Sequence, residues 1–165
     1  MAVPLPDVVD EVESRLERHG FELVEARWVG SKKRPILRVR MDLPDSIPGE
    51  GGVTVDQCAA MSRELEPWLD AHPDVPDWYV LEVSSPGVER PLIRARDWRR
   101  FKGNAVLVKG RDLPGGRGNR LVGEILGLEE KDGGEAVVAL LLDDGEEVRI
   151  PLDRIDTAHL VFRWD

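Results

Sequence analysis

The spacing of apolar residues predicts that the chain begins with an amphipathic helix. Apolar side chains recur every three or four positions, at Leu5, Val8, Val9, Val12 and Leu16. Charged residues fill the positions between them, so one face of the helix is apolar and the other is polar. Asp7 is a suitable N-cap residue for this helix, and Gly20 is a suitable residue to end it. We therefore predict a helix of about three turns that packs on a sheet.

Two strand-like runs follow this helix. Residues 21–29 are rich in strand-forming side chains, and residues 36–42 alternate apolar and charged positions. The connection between them, GSKKRP, has the composition of a turn, which predicts an antiparallel hairpin. The alternation places Arg38 and Arg40 on the solvent face, near the basic tip at 32–34.

A second helix and a third strand complete the first half of the chain. Thr54 and Gln57 have the spacing of a capping box. Behind them runs an apolar stripe of Cys58, Met61, Leu65, Trp68 and Leu69. Pro67 is expected to kink or end this helix, because proline lacks a backbone donor. With a strand over 78–83, the order helix–strand–strand–helix–strand predicts an α+β layer domain.

The second half of the chain changes to short strands. Five strand-like runs lie at 105–109, 120–130, 135–142, 146–152 and 157–162. The Asp-Asp-Gly at 143–145 is the clearest hairpin signal, and residues 152–155 suit a single 3₁₀ turn. Five strands with this interruption before the last predict a small SH3-like or Sm-like β-barrel.

The boundary between the halves is predicted at a tight turn, SSPG at 84–87. A short helix follows, with Asp97 as its cap and Gly103 as its stop. The predicted fold class is therefore α+β, with an N-terminal α/β layer domain at 1–88 and a five-stranded barrel domain at 89–165.

Charge is distributed unevenly along the chain. The net charge is −9, with a balance of −8 for residues 1–90, +7 for 91–120 and −8 for 121–165. A second basic stretch, between Arg27 and Arg40, contains no acid. Two cationic patches in an acidic chain suit an assembly factor that touches both basic protein and RNA, and they also suit ordinary solvated loops.

The chain lacks the residues that characterise several functional classes. The single Cys58 excludes an internal disulfide and a multi-cysteine zinc site, and its place on the apolar stripe predicts a core residue. His19, His72 and His159 fall in different predicted elements, and no phosphate-binding glycine motif is present. No apolar run approaches the roughly 18 residues of a membrane span, and the acidic N-terminus is unlike a signal peptide. We expect a cytoplasmic protein that is not an enzyme and uses no cofactor or metal.

The aromatic residues are expected mainly in the cores. Trp98 and Phe101 lie three apart beside an apolar strand, a spacing that favours packing over base stacking. The same expectation covers Trp28, Trp68 and Trp78. Trp164, beside the C-terminus, suits either a core residue or an exposed anchor.

The run LEVSSPGVERPL at 81–92 resembles the signature of the ribosome maturation factor RimP family. In that signature a strand ends in Ser-Ser-Pro-Gly, and an acidic residue, arginine and proline follow. Val88 and Glu89 stand where the family more often has leucine and aspartate, and both keep size class and charge. The order of elements is similar to that family over nearly the whole chain. The resemblance implies a factor that binds the free small ribosomal subunit late in assembly and helps a decoding-region ribosomal protein take its place.

The signature itself permits two physical interpretations. Pro86 fixes one dihedral and Gly87 can adopt positive φ, which favours a rigid hinge between the domains. The predicted hinge comprises Ser84, Ser85, Pro86, Gly87, Glu89, Arg90 and Pro91. In the other interpretation Arg90 contacts the ribosome directly, and the two roles are compatible.

Two charged groups are candidate binding residues. Arginine pairs with phosphate through a planar fork, so a basic stripe is predicted to bind rRNA. The stripe comprises Arg90, Arg94, Arg96, Arg99, Arg100, Lys102 and Lys109. The resemblance implies that the barrel contacts the basic ribosomal protein, and the candidate acids are Glu124, Asp143, Asp144 and Glu146. A merely solvated face is the alternative for the stripe.

A second function class is a stand-alone Sm-like module that binds small RNAs. Sm-type RNA binders usually assemble into rings, whereas a two-domain assembly factor is expected to be a monomer. Sedimentation of the pure protein separates these two hypotheses.

Overall fold

The computed structural model describes residues 4, 6–47, 52–87, 90–114, 118–131 and 133–161. The chain divides into two units, Met1–Gly87 and Val88–Asp165. Each unit has a hydrophobic core of its own. Within the described residues, no helix combines the length and the apolar character needed to cross a membrane.

The first unit combines a three-stranded sheet with two helices. In chain order its elements are α1 (Pro6–Arg18), β1 (Glu22–Gly30), β2 (Pro35–Asp42), α2 (Val55–Ala71) and β3 (Val80–Ser84). β1 and β2 form an antiparallel hairpin, and β3 joins β2 in parallel, which gives the strand order β1-β2-β3. The predicted order of helices and strands in this unit is confirmed.

Side chains of β2 alternate between the core and the other face of the sheet. The core contains apolar side chains of both helices and of β2, including Val12, Leu16, Leu37, Val39, Met41, Met61, Leu65 and Leu69. Arg38 and Arg40 stand between the buried positions of β2 and are half-exposed. This is the orientation that the alternation predicts.

The signals for helix ends are largely confirmed. Gln57 N–H donates to Thr54 Oγ1 at 3.1 Å, and Thr54 N–H donates to Gln57 Oε1 at 2.8 Å, so both bonds of the capping box are present. Gly20 follows α1 with φ +84°, a conformation that side chains with a Cβ rarely adopt.

The start of α1 differs from prediction, and of the two effects expected of Pro67, a kink or an end of the helix, the end is excluded. α1 begins at Pro6, so Asp7 lies in its first turn and is not the N-cap. Proline suits a first helical position, because the N–H it lacks would have no partner there. α2 continues through Pro67 to Ala71, so the helix does not end at the proline. The turn beyond Pro67 buries Leu69 completely in the core, and this burial offsets the lost backbone bond.

The second unit is built on a five-stranded antiparallel sheet. Its elements are α3 (Ala95–Arg100), β4 (Ala105–Gly110), β5 (Arg120–Glu130), β6 (Ala136–Leu142), β7 (Glu147–Pro151), a 3₁₀ turn (Leu152–Arg154) and β8 (Ile155–Leu160). The strand order is β7-β6-β5-β4-β8. The five strands and the 3₁₀ turn are confirmed, but no ladder closes the sheet into a barrel among the residues described.

The core of the second unit lies between α3 and the sheet. Trp98 and Phe101 are almost completely buried there with apolar residues of the strands, as the spacing predicts. The Asp-Asp-Gly turn is also confirmed, because Gly145 has φ +86° and its N–H donates to the Leu142 carbonyl at 3.0 Å. This turn joins β6 to β7 and sets the position of the acids considered below.

Candidate functional site

The signature segment at 81–92 begins in the sheet of the first unit and finishes beside the sheet of the second. Ser84 is the last residue of β3 in the first unit. Beyond the junction, Leu92 N–H donates to the Ala158 carbonyl at 2.9 Å, and Leu160 N–H donates to the Arg90 carbonyl at 2.8 Å. Residues 90–92 therefore extend the second sheet at the free edge of β8. Of the described residues in the predicted hinge, Ser85, Pro86 and Gly87 lie outside both sheets.

The described part of the predicted hinge includes a glycine with positive φ. Gly87 has φ +74°, and a Cβ built there would meet no heavy atom within 4 Å. Glycine is thus required here by the backbone conformation and not by lack of space. Val88 and Glu89, which belong to the predicted signature, lie outside the described residues.

Arg90 is an interior residue of the second unit. Its Nη1 lies 3.4 Å from Oδ1 of Asp97, and the two side chains expose only 4% and 3% of their surface. Its guanidinium also lies 4.6 Å from the ring centroid of Phe101. A guanidinium enclosed in this way is not presented to a phosphate, so the structure favours the structural role of Arg90 over direct ribosome contact.

Asp97 has a second structural role, as a hydrogen-bond acceptor at the start of α3. Its Oδ2 accepts the backbone N–H groups of Ile93 and Arg94, each at 2.9 Å. The N-cap of α3 is Arg94, and Asp97 stands in the first helical turn. The prediction that Asp97 is the N-cap is therefore wrong in position, although its carboxylate does satisfy backbone donors at this helix end.

The predicted basic stripe separates into two groups. The α3 group comprises Arg94, Arg96, Arg99, Arg100 and Lys102. The Arg99 guanidinium forms an ion pair with Glu130 at the end of β5, and the Arg100 guanidinium lies 4.9 Å from the Phe101 ring centroid. Lys109 lies on β4, and in the β4–β5 ladder it stands opposite Arg120. Arg120 is at the start of β5, ten residues before Glu130. Sequence proximity suggested one surface, but the direction of β5 places the groups at opposite ends of that strand.

The acids predicted to bind protein gather at one end of the second sheet. The exposed residues of the β6–β7 turn include Asp143, Asp144 and Glu146. Glu124 of β5 lies directly opposite Leu141 of β6, and Leu141 lies opposite Glu147 of β7. Glu124 and Glu147 are both exposed. We call this surface, Glu124, Asp143, Asp144, Glu146 and Glu147, the acidic end.

Two other acids of β5 have basic partners within the unit. Glu130 pairs with Arg99, and both oxygens of Glu129 lie 3.3 Å from the Arg149 guanidinium. The Glu129 carboxylate raises the pKa of Arg149 through this hydrogen bond. The acids of β5 therefore divide between the acidic end and pairs on the opposite end of the strand.

The comparison with known families matches the first unit and its junction. The family model described as the RimP N-terminal domain covers residues 11–89. The chain belongs to the RimP family. RimP proteins are ribosome maturation factors, which agrees with the resemblance seen in the SSPG segment. The matched range contains the whole sheet of the first unit and ends at the junction.

The RimP N-terminal domain holds one aromatic residue in an unpredicted position. Trp78 was expected in the core, but it is 62% exposed, and that prediction is wrong. Trp28 and Trp68 are partly buried against the core of the unit, as is Cys58, whose thiol pKa is raised by burial. Trp164 lies outside the described residues.

Three polar residues, two of them far from the third in sequence, form a cluster where α1 begins and α2 ends. Oxygen and nitrogen atoms of Asp7, His72 and Asp74 lie within 4.8 Å of one another. His72 Nε2 is 3.2 Å from Asp7 Oδ2, and Asp74 N–H donates to His72 Nδ1 at 3.1 Å. A neutral imidazole carries one proton, so the bond accepted at Nδ1 puts that proton on Nε2. Both ring nitrogens are thereby engaged, and the cluster joins two helix ends instead of offering a lone pair to a metal.

Proposed function

We propose that this RimP family member binds the immature small ribosomal subunit in the cytoplasm and assists its late assembly. In this proposal it acts as a monomer, performs no catalysis and needs no cofactor. Its task includes the placement of a ribosomal protein of the decoding region. The observation that carries the proposal is a RimP N-terminal domain joined to a unit in which five exposed acids lie together at one end of the sheet.

The acidic end is the proposed contact for the basic ribosomal protein. Glu124 and Glu147 are separated only by Leu141, so they stand about 10 Å apart, the width of two strand spacings. The turn acids continue the same surface at the end of β6. A dense group of carboxylates attracts a basic protein and repels rRNA phosphate, which favours protein as the occupant of this end.

The α3 group is the proposed contact for rRNA backbone. Arg99 and Lys102 are exposed, and Arg94, Arg96 and Arg100 are half-exposed. Lys109 belongs to a separate position on β4 and contributes only if RNA also reaches that end of the sheet. Arg90 is left out of the proposed contact because of its burial. Without an exposed aromatic in this group, the contact reads phosphate and not base sequence.

The segment between the sheets is the proposed hinge, with domains at 1–88 and 89–165. Pro86 restricts the chain on one side of Gly87, and Gly87 supplies the positive φ. On the far side, pairing of residues 90–92 with β8 anchors the chain in the second unit. The proposed hinge is therefore short, because among its described residues only 85–87 lie outside a sheet.

We also propose that the second unit is a barrel of the SH3-like or Sm-like kind. The order β7-β6-β5-β4-β8, with a 3₁₀ turn before the last strand, supports it. The same feature favours the alternative function, a stand-alone Sm-like RNA-binding module. A ring of six or seven copies in analytical ultracentrifugation would favour that alternative, whereas the assembly factor is expected to sediment as a monomer.

Co-sedimentation tests the main proposal. The full chain is expected to pellet with free small subunits and not with mature, translating ribosomes. Reversal of charge at the acidic end, Glu124→Lys with Asp144→Lys, should weaken this binding. The matched control is Asp153→Lys with Asp156→Lys, which reverses two exposed acids of the same unit outside the acidic end. Recovery of no small-subunit component would rule out the proposal.

A further inference from the structure

An exposed tryptophan is fixed to the basic hairpin tip of the first unit. Trp78 leaves 62% of its surface in solvent, and its Nε1–H donates to the backbone carbonyl of Lys32 at 3.2 Å. This bond uses the one polar group of the indole and holds the ring beside the tip. An aromatic ring of this size is usually buried, so its exposure in a fixed position is unexplained by the packing of the unit.

The surroundings of Trp78 are apolar on the sheet and cationic at the tip. Strand register places Val29, Ile36 and Val80 in one row across the three strands, and Val80 is 53% exposed. The tip itself carries three exposed cations in succession, Lys32, Lys33 and Arg34. A fixed ring, an apolar row and adjacent cations therefore occupy one end of this sheet.

The next row of the same sheet differs from the tip in its pairing. Arg27 Nη1 lies 3.6 Å from Glu25 Oε1, and Arg38 Nε lies 3.3 Å from Glu82 Oε1. These arginines have acidic neighbours that reduce their attraction for an anion. Net positive charge on this face is consequently greater at the tip, next to the indole, than in the row of Arg27, Arg38 and Glu82.

We propose that Trp78 and the tip cations Lys32, Lys33 and Arg34 bind a single-stranded segment of RNA. An unstacked base lies on the indole, and the neighbouring phosphates pair with the cations. This chemistry favours a single strand over a duplex, because bases within a duplex are already stacked and hidden from an aromatic ring. An acidic peptide would satisfy the cations but has no flat base to place on the ring. The inference rests on the proposed function, to which it adds an RNA contact in the RimP N-terminal domain.

Binding of the full chain to a labelled single-stranded oligoribonucleotide tests the proposal. Fluorescence anisotropy with a ten-nucleotide uridine strand gives the affinity. Trp78→Ala is expected to weaken binding roughly 5- to 150-fold, the range for loss of one stacked base. Trp78→Phe retains a stacking ring and should recover most of the affinity. Because Trp78 is largely exposed, neither change should unfold the unit, which circular dichroism verifies.

A matched pair of charge reversals tests the cations. Lys33→Glu should weaken oligonucleotide binding and lower the slope of log affinity against log salt by about 0.7 or more. Arg63→Glu makes the same charge change at an exposed position of α2 in the same unit and should leave the affinity unchanged. A duplex of the same length should bind the wild-type chain more weakly than the single strand.

Small-subunit pelleting of the same variants separates this inference from the proposed function. A wild-type chain that pellets with subunits but binds no oligonucleotide would overturn the inference alone. Oligonucleotide binding that depends on Trp78, without any pelleting, would support the inference and remove the proposed function. If Trp78→Ala abolished pelleting while oligonucleotide binding stayed unchanged, the surface would belong to a protein partner and the RNA assignment would be wrong.

Discussion

Arg90 and Arg99 lie nine residues apart in the same basic stretch, and each has an acidic partner in the second unit. Arg90 and Asp97 expose 4% and 3% of their side chains, whereas Arg99 and Glu130 expose 52% and 60%. The buried pair is enclosed with Phe101, and Asp97 also holds the start of α3. The exposed pair lies on the surface between α3 and the end of β5.

The difference shows that charge in a sequence does not identify the cations available for binding. A buried cation has lost its water, so it depends on its partner, and removal of either one leaves an uncompensated charge. An exposed pair keeps its water and contributes only about 0–1 kcal/mol. Arg99 can exchange Glu130 for a phosphate at little cost, and Arg90 cannot exchange Asp97.

The largest effect is expected at Arg90. Arg90→Ala leaves Asp97 buried without its cation and should lower the free energy of unfolding of the second unit by about 3–5 kcal/mol. Hydrogen exchange of the backbone amides in the second sheet measures the loss. The control Arg99→Ala removes only the exposed pair and should cost about 0–1 kcal/mol. Equal effects of the two substitutions would contradict the contrast drawn here.

The two basic groups of the stripe should differ in their effect on binding. Reversal of the α3 group with Arg99→Glu and Lys102→Glu removes two proposed phosphate contacts, so the salt slope of small-subunit binding should fall by about 1.8 if the contacted RNA is helical. Lys109→Glu with Arg120→Glu, the exposed residue opposite it on β5, applies the same charge change at the other end of β5 and should have the smaller effect. Binding measured between 50 and 200 mM salt distinguishes them. If neither double variant altered the slope, the stripe would be a solvated face.

Gly87 tests whether the segment between the units acts as a hinge. A side chain at φ +74° costs roughly 1–2 kcal/mol, and rotation of the link relieves it, so Gly87→Val should shift the distance between fluorophores placed in the two units. Gly145→Val, at φ +86° in the β6–β7 turn, places the same strain inside one unit. That control should lower the stability of the second unit without changing the distance. An unchanged distance in Gly87→Val would contradict the proposal that this segment is a hinge.

The smallest effect is expected at high pH in the first unit. Burial, and then the hydrogen bond to Asp70, raises the pKa of Tyr79 well above its usual value of about 10. Above that value the unfolded chain loses the phenolic proton and the folded chain keeps it, so stability should decline as pH rises beyond 10. Tyr79→Phe should flatten this decline in unfolding experiments between pH 9 and 11. A decline of equal steepness in the variant would assign it to other groups.

The sequence alone determined the succession of elements. Apolar spacing places α1 and α2, strand-like runs give all five strands of the second sheet, and Thr54 with Gln57 marks a helix start. These features depend on residues a few positions apart, because backbone periodicity and capping are local. The SSPG segment likewise pointed to the RimP family without any coordinates.

Tertiary structure decided which of the charged and aromatic residues face solvent. Arg90 is buried because the chain beyond the junction pairs with β8, some 70 residues later in the sequence. The exposed Trp78 is held by a hydrogen bond from its indole to the carbonyl of Lys32, 46 residues earlier, and no local pattern near either residue encodes that contact. The separation of Lys109 from Arg99 follows from the direction of β5. Burial depends on contacts between distant segments, so hydrophobic spacing predicts the elements but not the surface that binds a partner.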